Sequence, residues 1–416
     1  MKKVSLALLL FSSLTCFADE FEEDDFGSED LTQLVSQQEL NQKEEKLSLY
    51  GSVGLSTSYN YNHDKPLLPT QNDYRGLSSV KTSADLNIEY KFDNGFKAKA
   101  VLKAYNDFIY DIKSDDYKVT PKGYDKGFDL NEIYLQGALR SNLDIKIGRQ
   151  IVVWGKSDNI RITDSLNPLD NTTPGMVDIE DLRLGRAMTK IDYFVNDWAI
   201  SGIVLHENRF SDMPQYGSDY APANLMIANA ISVDEPSNSI DNSGIALSAS
   251  ANMQGQDLAF YYSNQYIDNT TYRSNMLGFA YNKVVDSFLF KTELAYFDNY
   301  DSNLVDSKID SLVGVEYNGI SDGSISLEVA NKDDDIQYAL RFTQSYINQT
   351  LDFTALYSGF GKECEYGGFT RIWFDYDIND KLSSSFGFIN YIGKEKKSFE
   401  MIEDNDRIFA SITYSF

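Results

Sequence analysis

From Leu47 to the last residue the chain alternates apolar and polar positions in short runs broken by turns. Within residues 81–91, Thr82, Ala84, Leu86, Ile88 and Tyr90 share one face, while Lys81, Ser83, Asp85, Asn87 and Glu89 share the other. That period of two is the signature of a strand. Asp93-Asn94-Gly95 then reads as a hairpin turn, because Asn-Gly supplies the positive φ that tight turns need. The next strand sets Phe96, Ala98, Ala100, Leu102 and Ala104 against Lys97, Lys99 and Lys103. Further tight joints fall at 140–142, 196–197, 254–256, 285–287, 321–323, 348–349 and 379–380. Longer charged connections alternate with them, at 62–76, 112–127, 155–182, 207–240, 267–271, 299–307, 331–335, 360–365 and 393–405.

Two classes of connection in strict succession predict an all-β fold, a transmembrane antiparallel β-barrel of about 18 strands with short periplasmic turns and long extracellular loops. Sixteen strands remain an alternative if weak ones such as 324–330 fail. The apolar faces finish in aromatic pairs such as Tyr59/Tyr61, Phe108/Tyr110 and Phe374/Tyr376, as interfacial girdles require. Ile408, Ala410, Ile412, Tyr414 and Phe416 alternate to a terminal aromatic. Such a ladder resembles the signal by which the outer-membrane assembly machinery of Gram-negative bacteria reads its barrels, with Phe416 as the contact.

Composition narrows the function classes. Sixty-three Asp+Glu against 37 Lys+Arg give a net charge of −26, which excludes a general phosphate-neutralising nucleic-acid binder. The aromatic content of 13% argues against disorder. Lys2 and Lys3, the apolar run Val4–Leu14 and Cys16-Phe17-Ala18 read as a signal peptide over 1–18. An acidic periplasmic segment, 19–46, carries eleven acids and two lysines. The barrel then occupies 47–416, placing the protein in the bacterial outer membrane, against lipids and lipopolysaccharide. A homo-oligomer is open.

If the apolar faces meet lipid, the opposite faces line a lumen. Lys97, Lys99, Lys103, Lys146, Arg149, Arg186 and Lys190 form a candidate basic wall, and Asp85, Glu89, Glu132 and Asp192 stand among them. Two readings are open: a selectivity ladder for an anionic or amphiphilic solute, or cross-strand pairs that neutralise one another. Arg149 needs a device of its own, because its register is that of Leu143, Ile145 and Ile147. An Arg on the lipid face at mid-bilayer costs roughly 2–4 kcal/mol. A bulge at Gly148 is expected to turn Arg149 inward and to place Trp154 in the outer girdle.

The connection 155–182 is unusually long and carries apolar residues throughout: Ile160, Ile162, Leu166, Leu169, Met176, Val177 and Ile179. Folded into the barrel mouth it constricts a pore, as porin loops do; lying on the rim it is a lid. The run Gly148-Arg149-Gln150-Ile151-Val152-Val153-Trp154-Gly155-Lys156-Ser157, followed by Asn167-Pro168-Leu169-Asp170, resembles the G-R-Q-x-V-x-W-G-x-S…N-P-x-D signature of a family of uncharacterised Gram-negative outer-membrane porin-like proteins. The resemblance implies a porin-like barrel, in some members associated with export of hydrophobic molecules. It singles out Gly148, Arg149, Gln150, Trp154, Gly155, Asn167, Pro168 and Asp170.

Catalysis and metal binding find little support. His63 and His206 are the only imidazoles, both at strand ends or in loops, and Cys364 has acidic flanks that oppose a thiolate. No catalytic residue, metal or cofactor is assigned. The expected function is passive passage of small solutes, with anion preference if the basic wall is unpaired. A plugged carrier or exporter of hydrophobic compounds and a closed structural or adhesion barrel are the competitors.

Overall fold

The computed structural model describes residues 46–416 apart from 67–68, 222–232, 302–304 and 396. The expected signal peptide, 1–18, and residues 19–45 of the expected acidic segment lie outside the described residues. Eighteen strands follow one another: β1 (Leu47–Asn60), β2 (Gly76–Lys91), β3 (Lys97–Asp107), β4 (Lys126–Arg140), β5 (Leu143–Gln150) and β6 (Arg186–Val195). Next come β7 (Trp198–Leu205), β8 (Gly244–Met253), β9 (Gln256–Tyr266), β10 (Arg273–Val285), β11 (Phe288–Asp301) and β12 (Val305–Ile320). The last six are β13 (Gly323–Lys332), β14 (Asp335–Tyr346), β15 (Leu351–Phe360), β16 (Gly367–Asn379), β17 (Leu382–Ile392) and β18 (Arg407–Ser415). Each strand pairs antiparallel with its chain neighbours, and β1 also pairs with β18, so the sheet is a closed barrel without edges. Gly51 and Phe416 seal the seam with two backbone hydrogen bonds of 3.0 Å.

The burial pattern is that of a protein turned inside out. On β11, Phe290 and Leu294 are exposed while Lys291, Glu293 and Ala295 are buried. On β13, Ile325 and Leu327 are exposed while Ser326, Glu328 and Ala330 are buried. Apolar side chains thus face outward around the ring, the arrangement a hydrocarbon surround demands. Residues 324–330, the weakest strand in the sequence, are fully integrated in β13, so the sixteen-strand alternative falls. Short turns are closed by residues of positive φ, among them Asn196, Asp286 and Asp322. One expected longer connection, 331–335, is instead a tight turn through Asp333 and Asp334, both at positive φ.

Two expectations about β5 fail. Its ladder runs without a shift through Gly148, which faces Tyr134 on β4 and Met188 on β6. There is no bulge, and Arg149 keeps the outward register of Ile147. The reason is position: Arg149 is the penultimate residue of β5, at the long-loop end, where its guanidinium reaches Glu207 and the Leu130 carbonyl. It pairs at the rim instead of turning into the lumen. Trp154 is not in a girdle either. The strand ends at Gln150, and Trp154 is buried in the following loop, stacked on Tyr261 at 4.8 Å between ring centroids.

Gly148 is nevertheless irreplaceable. Its φ is +131°, and a Cβ there would lie 2.1 Å from the Ile133 carbonyl oxygen. Gly148→Ala is expected to cost about 1–3 kcal/mol or more from strain and backbone displacement. The check is the urea midpoint of the heat-modifiable, folded band on electrophoresis, which should fall.

Candidate pore constriction

The connection between β5 and β6 enters the barrel and is held there by the wall. Several inward residues along β8–β14 are small: Ala246, Ala259, Ala280, Ala295, Ala330 and Ala339 are all buried. The space they leave is filled by Val152, Trp154, Ile160, Ile162 and Leu166, which form one apolar cluster with Met188, Ile203, Leu205 and Met276. Apolar residues that looked misplaced in a loop therefore build a core inside the lumen, released from water there.

The backbone of this segment makes no ladder, so its donors need partners. Two buried wall carboxylates supply them. Glu293 Oε1 accepts the N–H groups of Lys156 (2.6 Å) and Ser157 (2.8 Å). Its Oε2 accepts the N–H (3.1 Å) and hydroxyl (2.8 Å) of Thr163. Glu328 accepts from Asp158 (2.8 Å), Asn159 (3.0 Å) and Ile160 (3.1 Å). Gly155 is glycine for this reason: at φ +84°, a Cβ would stand 2.8 Å from the Glu293 carboxylate. Lys291 adds a charge pair with Asp158 and a 3.1 Å contact to Glu316.

The segment returns to its base at Asn167. The Asn167 side chain accepts from Val152 N–H (2.8 Å) and donates to the carbonyls of Gln150 (3.1 Å) and Leu184 (2.8 Å), tying entry and exit together. Gln150, fully buried, donates to the Met188 carbonyl at 3.1 Å. Leu184 N–H donates to the Pro168 carbonyl at 2.8 Å, and the Asp170 carboxylate accepts from Thr172 N–H at 3.0 Å. Asp164 receives both Arg161 (3.0 Å) and Arg183 (2.8 Å). Burial lowers the Arg161 guanidinium from its ordinary value, against the pull of Asp164.

A second arm reaches the far wall. Asp178 pairs with Arg341 on β14 at 3.0 Å and with Arg371 on β16. Arg371 also donates to the Gly175 carbonyl (3.1 Å) and lies 3.9 Å over the Trp373 ring, while Tyr391 on β17 donates to the Pro174 carbonyl at 2.6 Å. In a ring of eighteen, β5 and β14 are nine strands apart, so the segment 151–185 crosses the lumen from one wall to its opposite. Part of the β7–β8 connection fills the mouth beside it. Asp219 pairs with Arg407 at 2.9 Å, and Tyr220 is buried against Ile389, Tyr391 and Ile402.

Below the crossing, toward the short turns, lies a cavity of about 690 Å³ lined by Ser157, Ser324, Ser326 and Thr343 hydroxyls and by charged groups of both signs. Its acids are Asp158, Asp178, Glu180, Asp181 and Glu316, against Lys156, Arg183 and Arg341. Glu180 and Asp181 are exposed and form no ion pair among the described residues.

The basic wall expected from the sequence is divided. Lys97 and Lys99 share Glu89 at 3.1 and 3.8 Å, and Lys190 pairs with Asp192 at 2.6 Å. Lys146 lies 3.7 Å over the Tyr134 ring and opposite Lys190. Lys103 is exposed between Asp85 and Asp129 on the neighbouring strands. Glu132 accepts from Ile151 N–H at 3.4 Å. Arg186 does not belong with them. It is buried, donating to the Leu166 carbonyl (3.2 Å) and to Gln265 (2.6 Å), and so braces the crossing segment. Glu293 and Glu328, the principal anchors, stand in the inward register of β11 and β13, and nothing in their spacing along the chain marks them as anchors.

Solved structures similar to this chain include mutants of the Rhodopseudomonas blastica porin. One aligns over 89% of this chain and 100% of its own at 12% identity and a TM-score of 0.44. A triple mutant aligns over the same shares at 12% identity and a TM-score of 0.43. No curated protein matches the chain. Residues 4–344 match the family described as a protein of unknown function, DUF1302, and the chain belongs to that family.

Proposed function

We propose that the protein is a channel of the bacterial outer membrane, passing small polar solutes passively and performing no chemistry on them, with residues 151–185 as its constriction. The observation that carries this reading is the anchored crossing itself. A segment fixed to mid-wall carboxylates on one side and to an arginine pair on the other narrows the lumen, yet leaves a polar cavity of about 690 Å³ beneath it. The outward apolar belt supports insertion in lipid, and the barrel ladder through Phe416 supports handling by outer-membrane assembly machinery.

The charge preference we infer is for cations, in place of the anion preference expected from the lysine-rich strands. Lys97, Lys99 and Lys190 share carboxylates, Lys146 covers the Tyr134 ring, and Lys103 alone of these lysines stands exposed without an ion pair among the described residues. Glu180 and Asp181, by contrast, both project unpaired beside the constriction. Fixed charge in a narrow lumen focuses its field on passing ions. Planar-bilayer reversal potentials of the refolded protein under a KCl gradient test both points. Cation preference that falls several-fold in Glu180→Gln/Asp181→Asn is the expected result. Anion preference in the unmodified protein overturns the charge assignment, and zero conductance from a folded barrel overturns the channel.

A further inference from the structure

The crossing segment divides the lumen, and a second cavity of about 380 Å³ lies on its long-loop side. Ile179 lines both cavities and marks the partition between them. We propose that this upper cavity is a binding site for an amphiphile with a single anionic head, of the class of medium-chain carboxylates. Its size falls within the roughly 300–1,000 Å³ typical of small-molecule sites.

Two features of the lining set that chemistry. One wall is apolar: Leu169, Ile179, Phe210, Ile267, Met276 and Phe297. The other carries a cationic pole. Lys308 pairs with Asp310 at 3.0 Å and with Asp333. Lys332, the last residue of β13 and in the inward register of Glu328 and Ala330, lines the cavity, and its side chain makes no hydrogen bond or ion pair among the described residues. Arg161 lines it too, and shares the single carboxylate of Asp164 with Arg183, leaving that group one positive charge in excess. Asp268, the fourth carboxylate of the lining, accepts from Ser211 N–H at 2.8 Å, which leaves Lys332 as the lining cation whose side chain has neither hydrogen bond nor ion pair among the described residues. A carboxylate head placed between Lys332 and Arg161 satisfies both with charge-assisted hydrogen bonds, while its chain covers the apolar wall.

The site requires no conduction, so its test is separate from the bilayer experiment. Radiolabelled decanoate is equilibrated by dialysis with the purified full chain in non-ionic detergent, against protein-free micelles. One saturable site per chain is expected, with displacement by unlabelled decanoate but not by decanol. Lys332→Met is expected to weaken binding at least tenfold and Lys332→Arg to retain it, each variant first shown to be folded by its heat-modifiable mobility. Non-saturable uptake equal to that of micelles, equal affinity in Lys332→Met, or equal competition by decanol would each overturn the proposal.

Discussion

Replacing Glu293 and Glu328 together by Gln is expected to raise single-channel conductance several-fold. The two carboxylates accept seven hydrogen bonds from residues 156–163. A Gln keeps one acceptor oxygen and turns the other into a donor that faces an N–H group. Each charge-assisted bond lost costs about 1.5–3 kcal/mol, and a buried donor left unpaired adds its own desolvation penalty. Two bonds lost at Glu293 alone amount to about 3–6 kcal/mol by that scale. Single variants should retain most of the constriction, because the other anchor and the apolar cluster around Leu166 still hold it. Their effects should couple instead of adding, since the anchors share one short segment. Trypsin provides a second readout: cleavage after Lys156 or Arg161 should become rapid in the double variant and stay slow in the parent. Unchanged conductance in a folded double variant would mean that residues 151–185 do not limit flow.

Much of this arrangement was legible in the chain and part was not, for physical reasons. Alternation fixes the strands because one face meets lipid and the other a lumen, and a one-residue slip would exchange them. The same contrast exposed Ile160, Ile162 and Leu166 as apolar residues needing cover within a long connection. What alternation cannot show is which lumenal acid receives which backbone. Glu293 lies 130 residues from Thr163, and Glu328 lies 170 from Asp158, so their pairing exists only once the barrel closes. Arg149 escapes the cost of a lipid-facing charge because that cost applies at mid-bilayer, whereas its strand ends one residue later beside Glu207. Arg186 sits in the lumenal register, as its spacing required, but the segment that covers it arrives from a different part of the chain.

Asp178→Asn is expected to shift the selectivity of the pore toward anions and loosen the far arm of the crossing. Asp178 is the shared partner of Arg341 and Arg371, and the Arg371 side chain is only 5% exposed. Breaking a mostly buried pair by removing one member costs about 3–5 kcal/mol, because the remaining charge is left uncompensated. Arg341 is a quarter exposed, so solvent screens much of its share and the penalty falls chiefly on Arg371. Arg371 keeps the Gly175 carbonyl and the Trp373 ring, and Tyr391 keeps the Pro174 carbonyl, so the arm should fluctuate without leaving the wall. The bilayer record should therefore show frequent transitions among sublevels and a reversal potential moved toward the anion side, since two guanidiniums lose their counter-charge beside the lower cavity. Adding Arg371→Met should restore a quiet current if the buried charge, and not the lost loop contact, drives the disorder. A double variant as noisy as Asp178→Asn would assign the effect to the contact itself.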